Sequence, residues 1–277
     1  MEGNPKTIAI VGVGLIGGSV AAAAKKRLPE TTVIGIDRDE SDVLGARELG
    51  LLDDSGCRIQ LVENADVIVV CTPVDRIAND VTAVAEHAKQ DAIITDVGSV
   101  KGTIVSALED LAEAGGFVGS HPMAGSEKSG YRNADGDLFE NINCILCPTD
   151  ETPENATDTI ARFWEQLGAN VARMSAEDHD KIVAAISHLP HAVAAALART
   201  PDSGSLPFAA TGFADSTRIA NGDPELWAAI FDSNRVAILN SIDQFEAELV
   251  ALRKAIATGQ QPIGDYLSKA RGPRNSQ

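Results

Sequence analysis

Aromatic residues are scarce in this chain: Phe, Trp and Tyr make up 4% of its 277 residues. A core built from this sequence is therefore aliphatic, assembled from Ala, Val, Ile and Leu. Positive charge is scarce as well. Twenty-three Lys and Arg face forty Asp and Glu, a formal net charge of −17. Such a field repels nucleic acid and anionic membranes, and neither is an expected partner. An anionic small substrate would then need a local cation, so an Arg or Lys inside a candidate site is informative. Cysteine is limited to Cys57, Cys71, Cys144 and Cys147. The opening "MEGNPKTIAIVGVG" runs straight into a strand and lacks the pattern of a signal peptide. No uninterrupted apolar run reaches the ~18–20 residues of a bilayer span. The cytosol, with reduced thiols, is the expected compartment. The "CILC" pair at 144–147 has no second pair and lies in an apolar run, so ordinary buried thiols are expected there.

What is present is a well-patterned globular chain. With 44% hydrophobic and 23% charged residues it can bury a real core. Short apolar runs at 7–14, 32–37, 65–73, 92–99, 116–122, 143–149 and 169–174 read as strands, with helical stretches between most of them. That alternation predicts an α/β fold: a doubly wound, Rossmann-like parallel sheet covered on both faces. The texture changes after Met174. "SAEDHDKIVAAISHLPHAVAAALA" is one long helical pattern, with Ser175 and Asp178 placed as a capping box and Pro190 as a break. From there on the sequence reads as helices and loops. The expected division is 1–174, a dinucleotide-binding domain, and 175–277, an all-helical domain. The long amphipathic stretch 227–259 is expected to pack partly on a second subunit, as a homodimer. The basic tail 268–277 reads as frayed.

"GVGLIG" (12–17) follows the apolar "TIAIV" and opens an Ala-rich helix. Gly12 allows a tight turn, Gly14 lets the backbone approach a pyrophosphate, and Gly17 permits close helix–strand packing, with Leu15 and Ile16 between them at the helix start. A second strand then ends in Asp37, placed to accept ribose hydroxyls and to repel a 2′-phosphate. Arg38 beside it argues the other way. The pattern favours NAD over NADP. Thr72 and Pro73 end the next strand, and "DVGSVKG" (96–102) and "GSHP" (119–122) end the two after that. Ligands of open parallel sheets sit beyond such strand ends. Thr72, Ser99, Lys101 and His121 are thus expected to converge where a nicotinamide would lie. Oxidation of an alcohol by NAD releases a proton, and a neutral imidazole is suited to take it. His121 is the candidate proton acceptor, and Ser99 its candidate hydrogen-bond partner.

Five stretches carry more specific information: "VGVGLIGGS", "DVGSVKG", "SHPMAGSEKSG", "SHLPH" and "DSTRIANGDPELW". In this order and spacing the chain resembles the prephenate/arogenate dehydrogenases of tyrosine biosynthesis, over roughly residues 7 to 255. The resemblance implies a dinucleotide domain followed by a helical dimerisation domain. It also implies oxidative decarboxylation of a cyclohexadienol, driven by aromatisation. It makes His121 the catalytic histidine with Ser99 as partner, and Arg218 the clamp for a substrate carboxylate. It puts His179 and His191 beside the substrate, and Trp227 near it, where core packing is the competing reading; Ser126, Glu127 and Ser187 are further candidate substrate contacts. Glu127 is further a candidate to attract the ammonium group of arogenate, with pairing to Lys128, Lys101 or a helix end as the competing reading. His188 and His191 share a helix face, but no third ligand accompanies them, so no metal site is expected. Two other readings stay open: a β-hydroxyacid dehydrogenase or imine reductase, and a non-catalytic NAD-sensing module.

Overall fold

Runs rich in Val, Ile and Thr, bounded by Gly, Pro and acids, form the strands of this protein. The computed structural model describes residues 3–125 and 128–271. The first half reads β1 (Thr7–Val11), α1 (Leu15–Arg27), β2 (Thr32–Ile36), α2 (Glu40–Glu48), β3 (Asp54–Gly56), β4 (Val67–Val70), α3 (Ile77–Ala85), β5 (Ile93–Asp96), α4 (Gly102–Ala107), α5 (Glu109–Glu113) and β6 (Phe117–Pro122). β7 (Asn143–Cys147), α6 (Glu154–Gln166) and β8 (Asn170–Arg173) complete the sheet, whose order is β3-β2-β1-β4-β5-β6-β7-β8.

Every strand pair is parallel except β6–β7, in which His121 sits opposite Ile145. The parallel sheet read from the sequence is thus corrected at one junction. A parallel neighbour needs a crossover connection. Among the described residues the link from β6 to β7 contains only a short 3₁₀ turn at Tyr131–Asn133. β3 also escaped the sequence reading, because "DSG" has no apolar pattern. Successive residues of each central strand enter two separate apolar layers. Ile8, Ile10, Val67 and Val69 meet α1 and α6 on one face, while Ala9, Val11, Ile68 and Val70 meet α3 and α4 on the other. The period of two that buries both faces of a strand is plain here.

All described elements after Arg173 are helical: α7 (Ala176–Val183), a π-helical turn at Ala184–His188, α8 (Leu189–Ala198), a 3₁₀ turn at Leu206–Phe208, α9 (Thr211–Thr217), a 3₁₀ turn at Arg218–Asn221, α10 (Pro224–Ser233), α11 (Arg235–Thr258) and α12 (Gln260–Arg271). Ser175 caps α7 by accepting the N–H of Asp178. Its hydroxyl donates in turn to the Asp178 carboxylate. Pro190 lies at the start of α8 and lacks an N–H, so the helix widens just before it. By length and composition the stretch 176–198 would suffice to cross a membrane. It nevertheless carries His179, Asp180, His188 and His191, all buried. Asn234 interrupts the expected continuous helix between α10 and α11, and residues 268–271 of the expected frayed tail belong to α12. α7 packs on α4 and β7, which brings the helical half onto the carboxyl edge of the sheet.

Candidate active site

A cavity of about 430 Å³ opens at the carboxyl ends of β1, β2 and β4. Of the sequence-derived cofactor residues, Gly12, Gly14, Asp37, Arg38, Thr72 and Pro73 line it. Leu15, Ile16 and Gly17 do not; they form the first turn of α1 behind it. Gly12 has a φ of +96°, and a Cβ there would meet the Cys71 carbonyl carbon at 2.8 Å. A Cβ on Gly17 would lie 2.0 Å from the Gly12 oxygen, so this glycine sets how closely α1 approaches β1. Beyond Gly14 there is open space. The N-terminus of α1 has no side-chain cap and no acid in its first turn. Free N–H groups and a positive dipole end facing a cavity suit a pyrophosphate.

Asp37 is partly committed to the backbone. Its Oδ2 accepts from Val13 N at 2.7 Å and its Oδ1 from Asp39 N at 3.1 Å. A carboxylate offers about four lone-pair directions, so acceptor capacity remains for ribose hydroxyls. Asp39 and Asp42 line the same rim. Burial first, and then Asp39 and Asp37, raise the pKa of Asp42. The Thr72 hydroxyl is buried and has no hydrogen-bond partner among the described residues. An orphaned donor beside an uncapped helix end and an acidic ribose corner is what a dinucleotide would satisfy.

His121 is 9% exposed at the end of β6, one strand beyond β5 at the same carboxyl edge. Burial is the main reason its pKa falls well below 6.5, reinforced by His179, Lys101 and His188. The imidazole is therefore neutral at physiological pH and able to accept a proton. Its orientation comes from a different residue than the sequence suggested. His121 Nδ1 is 2.8 Å from His179 Nε2, and His179 Nδ1 is 2.8 Å from Asp180 Oδ1. Among the described residues no hydrogen bond joins Ser99 to His121. Ser99 sits half-buried in the loop after β5.

Lys101 corrects the sequence reading more sharply. It does not reach the cofactor edge but is wholly buried, paired with the equally buried Asp96. Its Nζ also donates to the Ser120 carbonyl at 2.9 Å, beside His121. Ser120 Oγ donates to the Asp96 carbonyl at 2.5 Å and accepts Trp164 Nε1 at 3.0 Å. The roots of the two loops that bear Ser99 and His121 are thus fixed by one polar network.

The helical half contributes a second cluster. His191 stacks flat on Trp227, with ring centroids 3.5 Å apart, and Phe231 closes the edge. A Cβ on Gly222 would lie 2.4 Å from Trp227 Nε1, so this close-packed corner needs a glycine. His188 Nδ1 lies 3.2 Å from Asn234 Nδ2, and burial lowers its pKa to about 4. Burial also lowers His191. His188 Nε2 and His191 Nδ1 have no partner among the described residues. Ser187 is half-buried in the π-helical turn, and Arg218 is exposed at the head of the 3₁₀ turn that packs on α8. Ser126 and Glu127 lie outside the described residues. Sequence reading missed Asp180 and Asn234. The signal for Asp180 was two adjacent polar residues, 179 and 180, on the buried face of an otherwise amphipathic helix. Cys144 and Cys147 are buried free thiols, and burial pushes Cys147 up to about 12.

Comparison with known proteins agrees with this geometry. Residues 20–173 match the family model for the prephenate dehydrogenase nucleotide-binding domain, and residues 175–269 match the prephenate dehydrogenase dimerization domain. The chain is 40% identical to the cyclohexadienyl dehydrogenase of Zymomonas mobilis over 273 residues, 95% of this chain and 91% of that one. Its fold is similar to that of the A. aeolicus prephenate dehydrogenase solved with hydroxyphenyl propionate and NAD+, with a TM-score of 0.93, 33% identity, and coverage of 100% and 99% of the two chains. It is also similar to Synechocystis arogenate dehydrogenase, with a TM-score of 0.84, 33% identity, and coverage of 98% and 99%. Matched over nearly its whole length in both halves, the chain belongs to the prephenate dehydrogenase family.

Proposed function

We propose that this protein oxidatively decarboxylates prephenate to 4-hydroxyphenylpyruvate, arogenate to tyrosine, or both, with NAD as the hydride acceptor. The observation that carries the reading is His121, a buried imidazole held neutral at the carboxyl edge of the sheet that bears the dinucleotide cavity. NAD, when bound, supplies the acceptor for the hydride from the ring carbon that bears the hydroxyl. The rest falls to the chain. His121 takes the hydroxyl proton as the carbonyl character develops. The ring carboxylate leaves as CO2, its bonding electrons enter the ring, which becomes aromatic, and the proton returns from His121 to the ring oxygen to give the phenol. Arg218 offers a fork of donors for a substrate carboxylate, the local cation that so acidic a chain requires. The packed corner of His191, Trp227 and Phe231 supplies an apolar wall, in which His191 Nδ1 has no partner among the described residues. Ser99, Ser126, Ser187 and His179 complete the substrate surroundings in this reading.

The finer assignments have separate supports. The acidic rim of Asp37, Asp39 and Asp42 favours NAD over NADP, with Arg38 opposing it. Glu127 favours the ammonium group of arogenate. The chain divides near Met174. A homodimer forms through the helical half, where α11 leaves Val236 at 75%, Leu239 at 54% and Val250 at 67% exposure on one side. Free cysteines fit a cytosolic location. Reduction of NAD or NADP, followed by absorbance with prephenate and then arogenate, tests substrate and cofactor together. His121→Asn should abolish turnover and leave NAD affinity intact. A parallel loss of NAD binding would remove His121 from the role of proton acceptor. An unchanged ratio of efficiencies for the two substrates in Glu127→Gln would remove Glu127 from substrate choice.

A further inference from the structure

We propose that Asp180, acting through His179, is a positioning residue that fixes the tautomer of His121 and leaves its Nε2 free to accept a proton. The inference rests on the reading above that His121 is the acceptor. Asp180 lies on α7, yet it serves the first turn of α4. Its Oδ1 accepts Lys101 N at 2.7 Å and its Oδ2 accepts Gly102 N at 2.8 Å. No side-chain cap from α4's own cap residue competes. A Cβ at Gly102 would lie 2.7 Å from Asp180 Oδ2, so a glycine is needed for the carboxylate to seat there.

Both carboxylate oxygens act as acceptors in this seat. The hydrogen in the 2.8 Å bond to His179 therefore belongs to His179 Nδ1. A neutral imidazole has only one N–H, so His179 Nε2 presents a lone pair. The 2.8 Å contact between the rings is then a bond that His121 Nδ1–H donates. His121 Nε2 is left as the basic nitrogen. The reverse order would place the hydrogen on His121 Nε2 and make it a donor, unable to take up the substrate's proton. During turnover the substrate O–H bond breaks and an N–H bond forms at His121 Nε2, while Nδ1–H stays in place. The new imidazolium donates its Nδ1–H to His179 Nε2, and the single N–H of His179 faces the Asp180 charge, so the carboxylate stabilises the imidazolium at one remove. The seat is held from behind: Asn234 Nδ2 donates to the Asp180 carbonyl at 2.9 Å.

Nitrogen NMR of the full chain labelled with ¹⁵N-histidine reads the tautomers directly, without turnover. Wild type should show both His121 and His179 protonated at Nδ1. Asp180→Asn should disturb that pattern. It should lower kcat by about 10²–10⁴-fold while KM for NAD stays within about threefold. His179→Gln keeps an oxygen that can accept His121 Nδ1–H, and should retain more activity than His179→Leu. A wild-type His121 protonated at Nε2 overturns the inference. So does an Asp180→Asn enzyme with wild-type kcat, or one that loses only melting temperature with tautomers unchanged. Wild type inactive on both substrates would instead refute the proposed function, and the NMR result would stand apart from it.

Discussion

Lys101→Met is a demanding test of how the site is built. Lys101 and Asp96 are both fully buried, and each is the other's charge partner. Methionine nearly preserves the aliphatic stem and removes the ammonium group. Asp96 would keep its bonds from Gly98 N at 2.8 Å and Ser120 N at 3.1 Å but lose its counter-charge. Removing one member of a buried pair costs about 3–5 kcal/mol. The two surviving backbone donors place the expectation at the lower end, about 3 kcal/mol. For a chain of this size that is a melting temperature lower by about 6–12 °C. Adding Asp96→Asn removes the stranded charge and should recover most of the loss. The ammonium is also one of the charges that depress His121, so its removal raises that pKa toward 6.5. The acid limb of kcat/KM should move to higher pH. Thermal unfolding followed by circular dichroism, with a pH profile of kcat/KM, measures both effects. A single variant that melts within about 2 °C of wild type would refute the charge-pair account. So would a double variant less stable than the single.

Three further outcomes follow from the same geometry. His188 is held neutral by burial, its pKa lowered from 6.5 to about 4, so the unfolded chain binds the extra proton as pH falls. Its stabilising contribution is complete above 6.5 and is lost as pH drops toward about 4, by up to about 3 kcal/mol, and His188→Gln should flatten the fall in melting temperature over that range. Gly17→Ala puts a carbon 2.0 Å from the Gly12 oxygen and should weaken NAD binding at least tenfold by about 1.4 kcal/mol or more, measured by titration calorimetry. Val250→Glu, at a residue 67% exposed on α11, should convert the proposed dimer to a monomer by light scattering, and a dimeric mass kept by the variant would place the subunit contact elsewhere.

The nucleotide half was largely legible because its signals are local. Apolar runs, punctuating glycines and the strand-end acid Asp37 each report on their own neighbourhood, and the sheet follows from their succession. What escaped depends on contacts distant in sequence. Asp180 caps a helix 78 residues away, and no local pattern announces that. Lys101 looked like a cation at the cofactor edge because its motif ends a strand. Its burial is set by Asp96 and by the layer of α6 and β6 around Ser120 and Trp164. Ser99 was paired with His121 by proximity of strand ends, whereas the ring is held by a helix from the other half. The antiparallel β7 was unreadable for a related reason: strand direction depends on how the chain returns, which apolar content does not encode.

The widened turn at Ala184–His188 has a consequence for the phase of everything after it. Nine residues of regular helix rotate through about 900°, which would set position 188 diametrically across the rod from position 179. Yet both imidazoles are shielded from solvent, at 0% and 1% exposure. One surplus residue in the loose coil swings the downstream rod back by about a quarter-turn, and with it the ring that lies flat on the indole. The length of this segment is therefore as constrained as its composition. Excising a single residue there would leave the remaining side chains chemically intact and turn those downstream by about a quarter-turn.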